Sequence, residues 1–363
     1  MKEMNPDIGL KIAGSWVKLG ATDGFGPLTL NEQERNVLRF IQDWTNGKQT
    51  FEFQTSGSTG NPKIIRLTRN QLITSAQQTR AALNLQPGWN ALICLDVRFI
   101  AGAMMIVRSL VTGMNMVVQP PSANPLHDLS DRIDFASLVP YQIASIVDPD
   151  FQKIDAIHTI IIGGAAVNSD LVVKLQKSRS NIYATYASTE TISHIALQKI
   201  NGPDRQNFFQ LLPGITATVD GRNCLVVRAP YLGTVVTNDV VDLFAENKFK
   251  WIARYDDVIN TGGVKVNGGK IEAIVTEILN DLGLRNRIFI GGVPDEKLGE
   301  QVTVFVEGEP LGPGKEDLLR DKMQARLDKY EVPKAFKYVS QFQETASQKI
   351  DRRAVLNMIN LLS

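Results

Sequence analysis

Two changes of texture along the chain predict an α/β protein. Its larger N-terminal part carries a doubly wound, largely parallel sheet plus a small antiparallel β subdomain, and its smaller C-terminal part is α+β. The first observation is the alternation of short apolar, β-type runs (91–95, 116–118, 136–139, 158–162 and 182–186) with helical spacing at 71–83, 102–110, 141–147 and 169–177. Strands separated by helices pair in parallel, and ligands gather at their carboxyl ends. The second is a set of short strand candidates with turn residues between them, at 211–219, 224–228, 233–237 and 248–254, as in a small antiparallel sheet or barrel. The third is a new pattern after Asp256: a helix at 270–282, strands at 288–292 and 302–306, and a helix at 316–330 with Leu318, Leu319, Met323 and Leu327 on one face. The boundary falls at Arg254-Tyr255-Asp256-Asp257, giving domains of 1–255 and 256–363.

Composition narrows the function classes. A chain of 363 residues, 43% hydrophobic and 21% charged, has the balance of a soluble globular protein with more than one core. A net charge of +1 with scattered Lys and Arg gives no stripe that could track nucleic acid or an anionic membrane. Cys94 and Cys224 sit in apolar runs without metal or disulfide spacing. His127, His158 and His194 show no paired ligand spacing. The N-terminus lacks the apolar core of a signal peptide, and the greasy stretch 99–118 is interrupted by Arg108, Ser109, Thr112 and Asn115. A cytoplasmic protein is expected, its oligomeric state left open, a homodimer included.

The most informative segment is Thr55-Ser56-Gly57-Ser58-Thr59-Gly60-Asn61-Pro62-Lys63. Its glycines let the backbone approach a bulky anion, its hydroxyls and N–H groups donate to phosphate oxygens, and Lys63 adds a point charge. It lacks the Gly-Lys-Ser/Thr of the P-loop, which disfavours a P-loop kinase or ATPase. Composition alone also allows a solvated turn. A second motif, Tyr186-Ala187-Ser188-Thr189-Glu190, ends a strand; the Thr189 hydroxyl suits a phosphate and the Glu190 carboxylate suits Mg²⁺. Equally, Ser188 or Thr189 could cap a helix. Gly163-Gly164-Ala165 marks a βα turn, Thr237-Asn238-Asp239 a turn that tolerates positive φ, and Arg254 to Lys265 a charged loop. Lys349, within Gln348-Lys349-Ile350-Asp351-Arg352, is by composition one surface lysine among many.

Taken in order, these motifs resemble those of the AMP-forming acyl-adenylating enzymes, a family that includes acyl-CoA synthetases. The resemblance implies ATP, Mg²⁺ and CoA as co-substrates and cofactor, and a small carboxylic acid as partner. It implies that Thr55, Ser56, Gly57, Ser58, Thr59, Gly60 and Lys63 hold the phosphates, that Gly163, Gly164 and Ala165 line the adenine pocket, and that Tyr186, Asp239 and Arg254 serve the nucleotide, the last two at the ribose. Thr189 and Glu190 become catalytic, Glu190 through the metal. Lys349 becomes the adenylation lysine and Asp256 the hinge of a mobile C-terminal domain. Departures are Ala187 and Ala253 for glycine, Gln343 and Glu344 for Pro and Lys, Gln348 for Gly, and Phe99 where the family has a histidine.

The short run before the phosphate loop implies a reduced N-terminal subdomain. Together with 100–108 and 189–196 it gives the chain the look of a compact o-succinylbenzoate–CoA ligase of menaquinone synthesis. That substrate carries a second carboxylate, for which Arg98, Arg108, Ser193 and His194 are candidates. Arg108 read alone could be a snorkelling helix residue and His194 a core histidine. Other readings remain open: a ligase for aryl or fatty acids, an enzyme loading a carrier protein, or an ATP-binding protein without chemistry. Free CoA as acceptor separates the first two, and pyrophosphate release excludes the third.

Overall fold

The computed structural model describes residues 7–20, 30–54, 64–188, 190–312, 314–344 and 350–360. β1 (Gly9–Ile12) and β2 (Ser15–Lys18) form a hairpin, α1 (Glu32–Thr45) follows, and β3 (Thr50–Gln54) pairs antiparallel with β4 (Ile64–Thr68) ahead of α2 (Arg69–Leu83). The alternation then runs β5 (Asn90–Ile93), α3 (Ile100–Thr112), β6 (Asn115–Val118), β7 (Phe135–Leu138), α4 (Pro140–Val147), α5 (Phe151–Asp155), β8 (Thr159–Ile162), α6 (Ser169–Leu175) and β9 (Asn181–Ala187). The parallel strands lie side by side as β1-β6-β5-β7-β8-β9. β7 and β8 are buried along their whole length, as strands covered on both faces must be, so their sequences show apolar runs rather than alternation.

The helices start where the chain can cap them. The Asn31 side chain accepts from the Glu34 N–H while Glu34 answers at the Asn31 N–H, and Thr68 and Gln71 repeat the arrangement at α2. α3 is buried around nearly its whole circumference and stops at Gly113, whose φ of 84° an L side chain rarely adopts. Burial in the core therefore explains the greasy stretch 99–118, and no described helix is long and apolar enough to cross a membrane.

The antiparallel strands join the parallel ones and form no separate barrel. β10 (His194–Lys199), β11 (Phe209–Leu211), β12 (Thr216–Val219), β13 (Cys224–Ala229), β14 (Gly233–Ala245) and β15 (Lys248–Arg254) extend the same sheet from β9 in the order β10-β11-β15-β14-β13-β12. The strand expected over 211–219 is two strands, because Pro213 and Gly214 (φ 79°) turn the chain between them and send β12 to the far edge.

A single 3₁₀ turn, Tyr255–Asp257, leads to the second sheet. It is built by β16 (Val258–Thr261), β17 (Val264–Asn267), β18 (Ile288–Asp295), β19 (Gly299–Glu307) and β20 (Ala335–Val339), with α7 (Gly268–Asp281), α8 (Lys315–Arg326) and α9 (Arg352–Asn360). Its apolar side chains, from Ile259 to Val355, form clusters of their own. α8 ends at Arg326, short of the expected 330, because Leu327 takes an extended conformation. Leu319, Met323 and Leu327 face the core as expected, whereas Leu318 is 45% exposed.

Candidate active site

Among the described residues, Gly163, Gly164, Ala165 and Tyr186 fall at the carboxyl ends of the parallel strands β8 and β9, and His194, Asp239 and Arg254 on the adjoining antiparallel ones. Thr55, Ser56, Gly57, Ser58, Thr59, Gly60 and Lys63 lie outside the described residues, as do Thr189 and Lys349. Their flanks are described. Gln54 pairs with Ile64, and a cleft of about 590 Å³ beside this pair is lined by Glu52, Phe53, Ile64, Arg98 and Phe99, a size that suits a small ligand.

At the end of β8, Gly163 has a steric reason to be glycine: a Cβ there would sit 2.5 Å from Thr185 Oγ1. Gly164 has a φ of 84°, so the turn carrying Gly163, Gly164 and Ala165 needs both glycines. At the end of β9 no helix follows Ser188, so the capping alternative falls away. Ser188 and Thr191 bond each other reciprocally (Ser188 N–H to Thr191 Oγ1, 2.9 Å; Thr191 N–H to Ser188 Oγ, 3.2 Å) and reverse the chain into β10, leaving Glu190 exposed on the turn.

Three predicted nucleotide residues converge. The Tyr186 hydroxyl donates to Asp239 Oδ2 at 2.6 Å, and Arg254 Nη1 lies 3.3 Å from Asp239 Oδ1. Tyr186 is steadied by edge-on packing against Phe249, with ring centroids 5.1 Å apart. Burial and then the Asp239 charge raise its phenol far above the ordinary range, so it stays a donor. Thr237-Asn238-Asp239 lies within β14 and not on the positive-φ turn its sequence suggested, because the segment pairs with β15. It is braced by Arg222, a residue that its sequence context does not reveal. Arg222 Nη1 donates to Asn238 Oδ1 (2.9 Å) and Nη2 to the Thr237 carbonyl (3.2 Å), while the guanidinium lies 5.0 Å from the Tyr255 ring centroid.

Of the four proposed carboxylate-binding residues, three come together. Arg98 does not join them. It is exposed at the start of α3 and paired with Asp96 (2.6 Å) and Glu32 (2.9 Å). Arg108, near the other end of α3, is 2% exposed and faces no carboxylate among the described residues, which excludes the snorkelling alternative. Its Nη2 donates to Ser193 Oγ at 2.6 Å and lies 3.4 Å from His194 Nδ1, and its Nε donates to Thr79 Oγ1 at 3.3 Å.

Thr79, on α2, was not visible as a site residue, since nothing in local spacing links it to residues 108 and 193. Its hydroxyl donates to the Ser75 carbonyl (3.1 Å) and so must accept from His194 Nε2 (3.0 Å). His194 is therefore the Nε2–H tautomer, with Nδ1 accepting from Arg108. Burial, then the Arg108 charge, holds this imidazole well below its ordinary pKa, and it is neutral. Burial without a facing anion also lowers Arg108, to about 9. Ser193 Oγ, half-buried, spends a lone pair on Arg108 and keeps its own proton to donate.

The last group surrounds the Lys349 segment. Glu344 and Ile350 form an antiparallel bridge, and the Asp351 N–H donates to the Gln343 carbonyl at 2.7 Å. Arg352 reaches Asp257 and Glu272, both at 2.9 Å, tying this stem to the 3₁₀ turn and to α7. Burial raises the Glu272 carboxyl and Arg352 opposes the rise. Asp256 lies between Tyr255, stacked on Arg222, and Asp257, paired with Arg352.

The model of the AMP-binding enzyme family matches residues 51–223. A crystal structure from Dyadobacter fermentans, described as an acyl-CoA synthetase (AMP-forming)/AMP-acid ligase II-like protein, is 36% identical, with 91% of this chain and 95% of that one covered and a TM-score of 0.61. The 2-succinylbenzoate–CoA ligase of Lactococcus lactis is 25% identical, covering 89% of this chain and 77% of its own. O-succinylbenzoate coenzyme A synthetase (MenE) from Bacillus subtilis, in complex with ATP and magnesium ion, has the same fold: TM-score 0.70 at 20% identity, covering 83% of this chain and 68% of that one. The chain belongs to the AMP-binding enzyme family and is an AMP-forming acyl-CoA ligase.

Proposed function

We propose that the acid is o-succinylbenzoate and that its second carboxylate is received by the Ser193 hydroxyl, backed by Arg108. The observation that carries this reading is the buried Arg108 cation, which faces no carboxylate among the described residues and is linked at 2.6 Å to a half-buried serine whose proton meets no acceptor among them. A buried charge without a counter-ion is costly, and a bound anion offsets that cost. Names of relatives agree: the curated ligases of Lactococcus lactis and Bacillus licheniformis act on 2-succinylbenzoate by name.

In the reaction proposed, the other carboxylate attacks the α-phosphorus of ATP. A P–O bond forms and the bond to the leaving pyrophosphate breaks. The CoA thiolate, its proton lost to solvent, then attacks the acyl carbon, forming the C–S bond and releasing AMP. Thr55, Ser56, Gly57, Ser58, Thr59, Gly60 and Lys63 would hold the phosphates, Thr189 would donate to them, and Gly163, Gly164 and Ala165 would flank adenine. Among the described residues no group of three or more His, Cys, Asp or Glu could cage a metal. Mg²⁺ is commonly held by one or two carboxylates together with phosphate oxygens and water, and Glu190, exposed on its turn, would be such a carboxylate. Bound there, Mg²⁺ would neutralise phosphate charge.

A panel of carboxylic acids scored by ATP–pyrophosphate exchange tests the substrate. With o-succinylbenzoate, kcat/KM should exceed that with benzoate or octanoate by several orders of magnitude, because a site with a buried polar partner rejects acids that lack its complement. Comparable rates would remove the assignment and leave the acyl-CoA ligase intact.

The division into domains 1–255 and 256–363, with Asp256 as pivot, is part of the same proposal. Its neighbours are anchored to different elements: Tyr255 to Arg222, on the turn between β12 and β13, and Asp257 to Arg352, at the start of α9. Asp256→Pro fixes φ at the pivot. Thioester formation should then fall far more than adenylate formation, measured as separate half-reactions. Equal loss in both would point to local unfolding instead of an arrested rotation.

A further inference from the structure

β15 carries an irregularity beside the nucleotide residues. Asp239 pairs with Arg254 and Val240 with Ala253, but Val241 pairs with Trp251, so Ile252 has no partner across the ladder. In an unbroken strand, residues three apart point to opposite faces. The extra residue cancels that reversal and puts Trp251 and Arg254 on the face that carries Asp239. The bulge is pinned from outside: Asn267 Nδ2 donates to the Ile252 carbonyl at 2.6 Å while Asn267 Oδ1 accepts from the Lys270 N–H at the start of α7.

The consequence is chemical. Trp251 Nε1 donates to Asp239 Oδ1 at 3.2 Å, and Arg254 Nη1 reaches the same oxygen at 3.3 Å. Two donors use the two lone pairs of Oδ1, whereas Oδ2 accepts only from the Tyr186 hydroxyl among the described residues. A carboxylate fixed at one oxygen presents the other in a set direction. We infer that Trp251 is a positioning residue of the nucleotide site, whose indole N–H holds Asp239 so that Oδ2 takes the ribose 2′-hydroxyl. Without that N–H only the 3.3 Å contact from Arg254 holds Oδ1 among the described residues, the carboxylate is less firmly fixed against rotation about its Cβ–Cγ bond, and the ligand must complete its ordering on binding. This inference rests on the reading that Asp239 receives the ribose.

The test uses AMP and 2′-deoxy-AMP as probes, with Kd measured by calorimetry on the full chain, so no acid substrate need be known. The wild type should bind AMP at least about tenfold more tightly than 2′-deoxy-AMP, the effect of one hydrogen bond to a charged group. Trp251→Phe keeps an aromatic ring and deletes the donor. It should weaken AMP about five- to twentyfold, hardly change 2′-deoxy-AMP, and so flatten the ratio. Trp251→His restores a ring N–H and should recover part of the discrimination; it also carries the test if the Phe variant does not fold. Trp251 is 42% exposed, so its emission should change when AMP binds, and that change should vanish in Trp251→Phe. Wild-type affinity and ratio in a folded Trp251→Phe would overturn the role of Trp251 alone. Equal affinity of the wild type for both nucleotides would overturn the ribose assignment of Asp239 itself, and Trp251 with it.

Discussion

Lys349→Ala should lower ATP-dependent formation of the acyl-adenylate by about 10²–10³-fold, the usual effect of deleting one preorganised charge or donor from a developing oxyanion. Lys349 lies outside the described residues, and its role is proposed from its place in the C-terminal motif. The described residues on either side of it are tied down. The bridge between Glu344 and Ile350 closes the stem, Arg287 fastens Glu344 at 2.6 Å, and Arg352 fastens the other side to Asp257 and Glu272. The second half-reaction needs no such cation, so Lys349→Ala given pre-formed acyl-adenylate and CoA should still make thioester. Adenylate formation at the wild-type rate would make Lys349 a bystander.

Arg108→Met and Ser193→Ala should have the next largest effect, on substrate choice and not on chemistry. Each should lower kcat/KM for o-succinylbenzoate by about two orders of magnitude or more while leaving activity with simple aryl acids nearly unchanged, since only the diacid uses the polar partner. Stability separates this from a structural role. Arg108 faces no carboxylate among the described residues, so replacing it with an apolar isostere relieves a desolvation cost as well as removing bonds to Thr79 and Ser193. The melting temperature of Arg108→Met should therefore stay within a few degrees of wild type. A large fall in melting temperature with unchanged selectivity would identify the cluster as core structure.

The alternation of apolar runs and helical spacing determined the parallel strands, because period and run length are local properties of a chain. The turn at Gly163-Gly164 was legible for the same reason, since paired glycines mark a conformation that other residues rarely adopt. Gly163 shows the limit. Its sequence marked a turn, but the clash a Cβ would make with Thr185 exists only once β8 and β9 lie side by side. The Leu318 face failed for a related reason: α8 ends at Arg326, and which of its leucines are covered is set by the sheet beneath.

Tertiary structure alone decided the rest. Thr79, Arg108 and Ser193 come from α2, α3 and the turn before β10, and only packing turns them into one polar cluster with His194. It also dismissed Arg98, which spacing could not distinguish from Arg108, by pairing it with Asp96 and Glu32 at the surface. Trp251 reaches Asp239 because a ladder slips by one residue, and register is a property of two strands together. A sequence states which groups a chain owns and what each stretch prefers locally. Which charge ends up buried facing no carboxylate among the described residues, and which carboxylate gathers donors from three different residues, depends on distances between residues far apart in the chain.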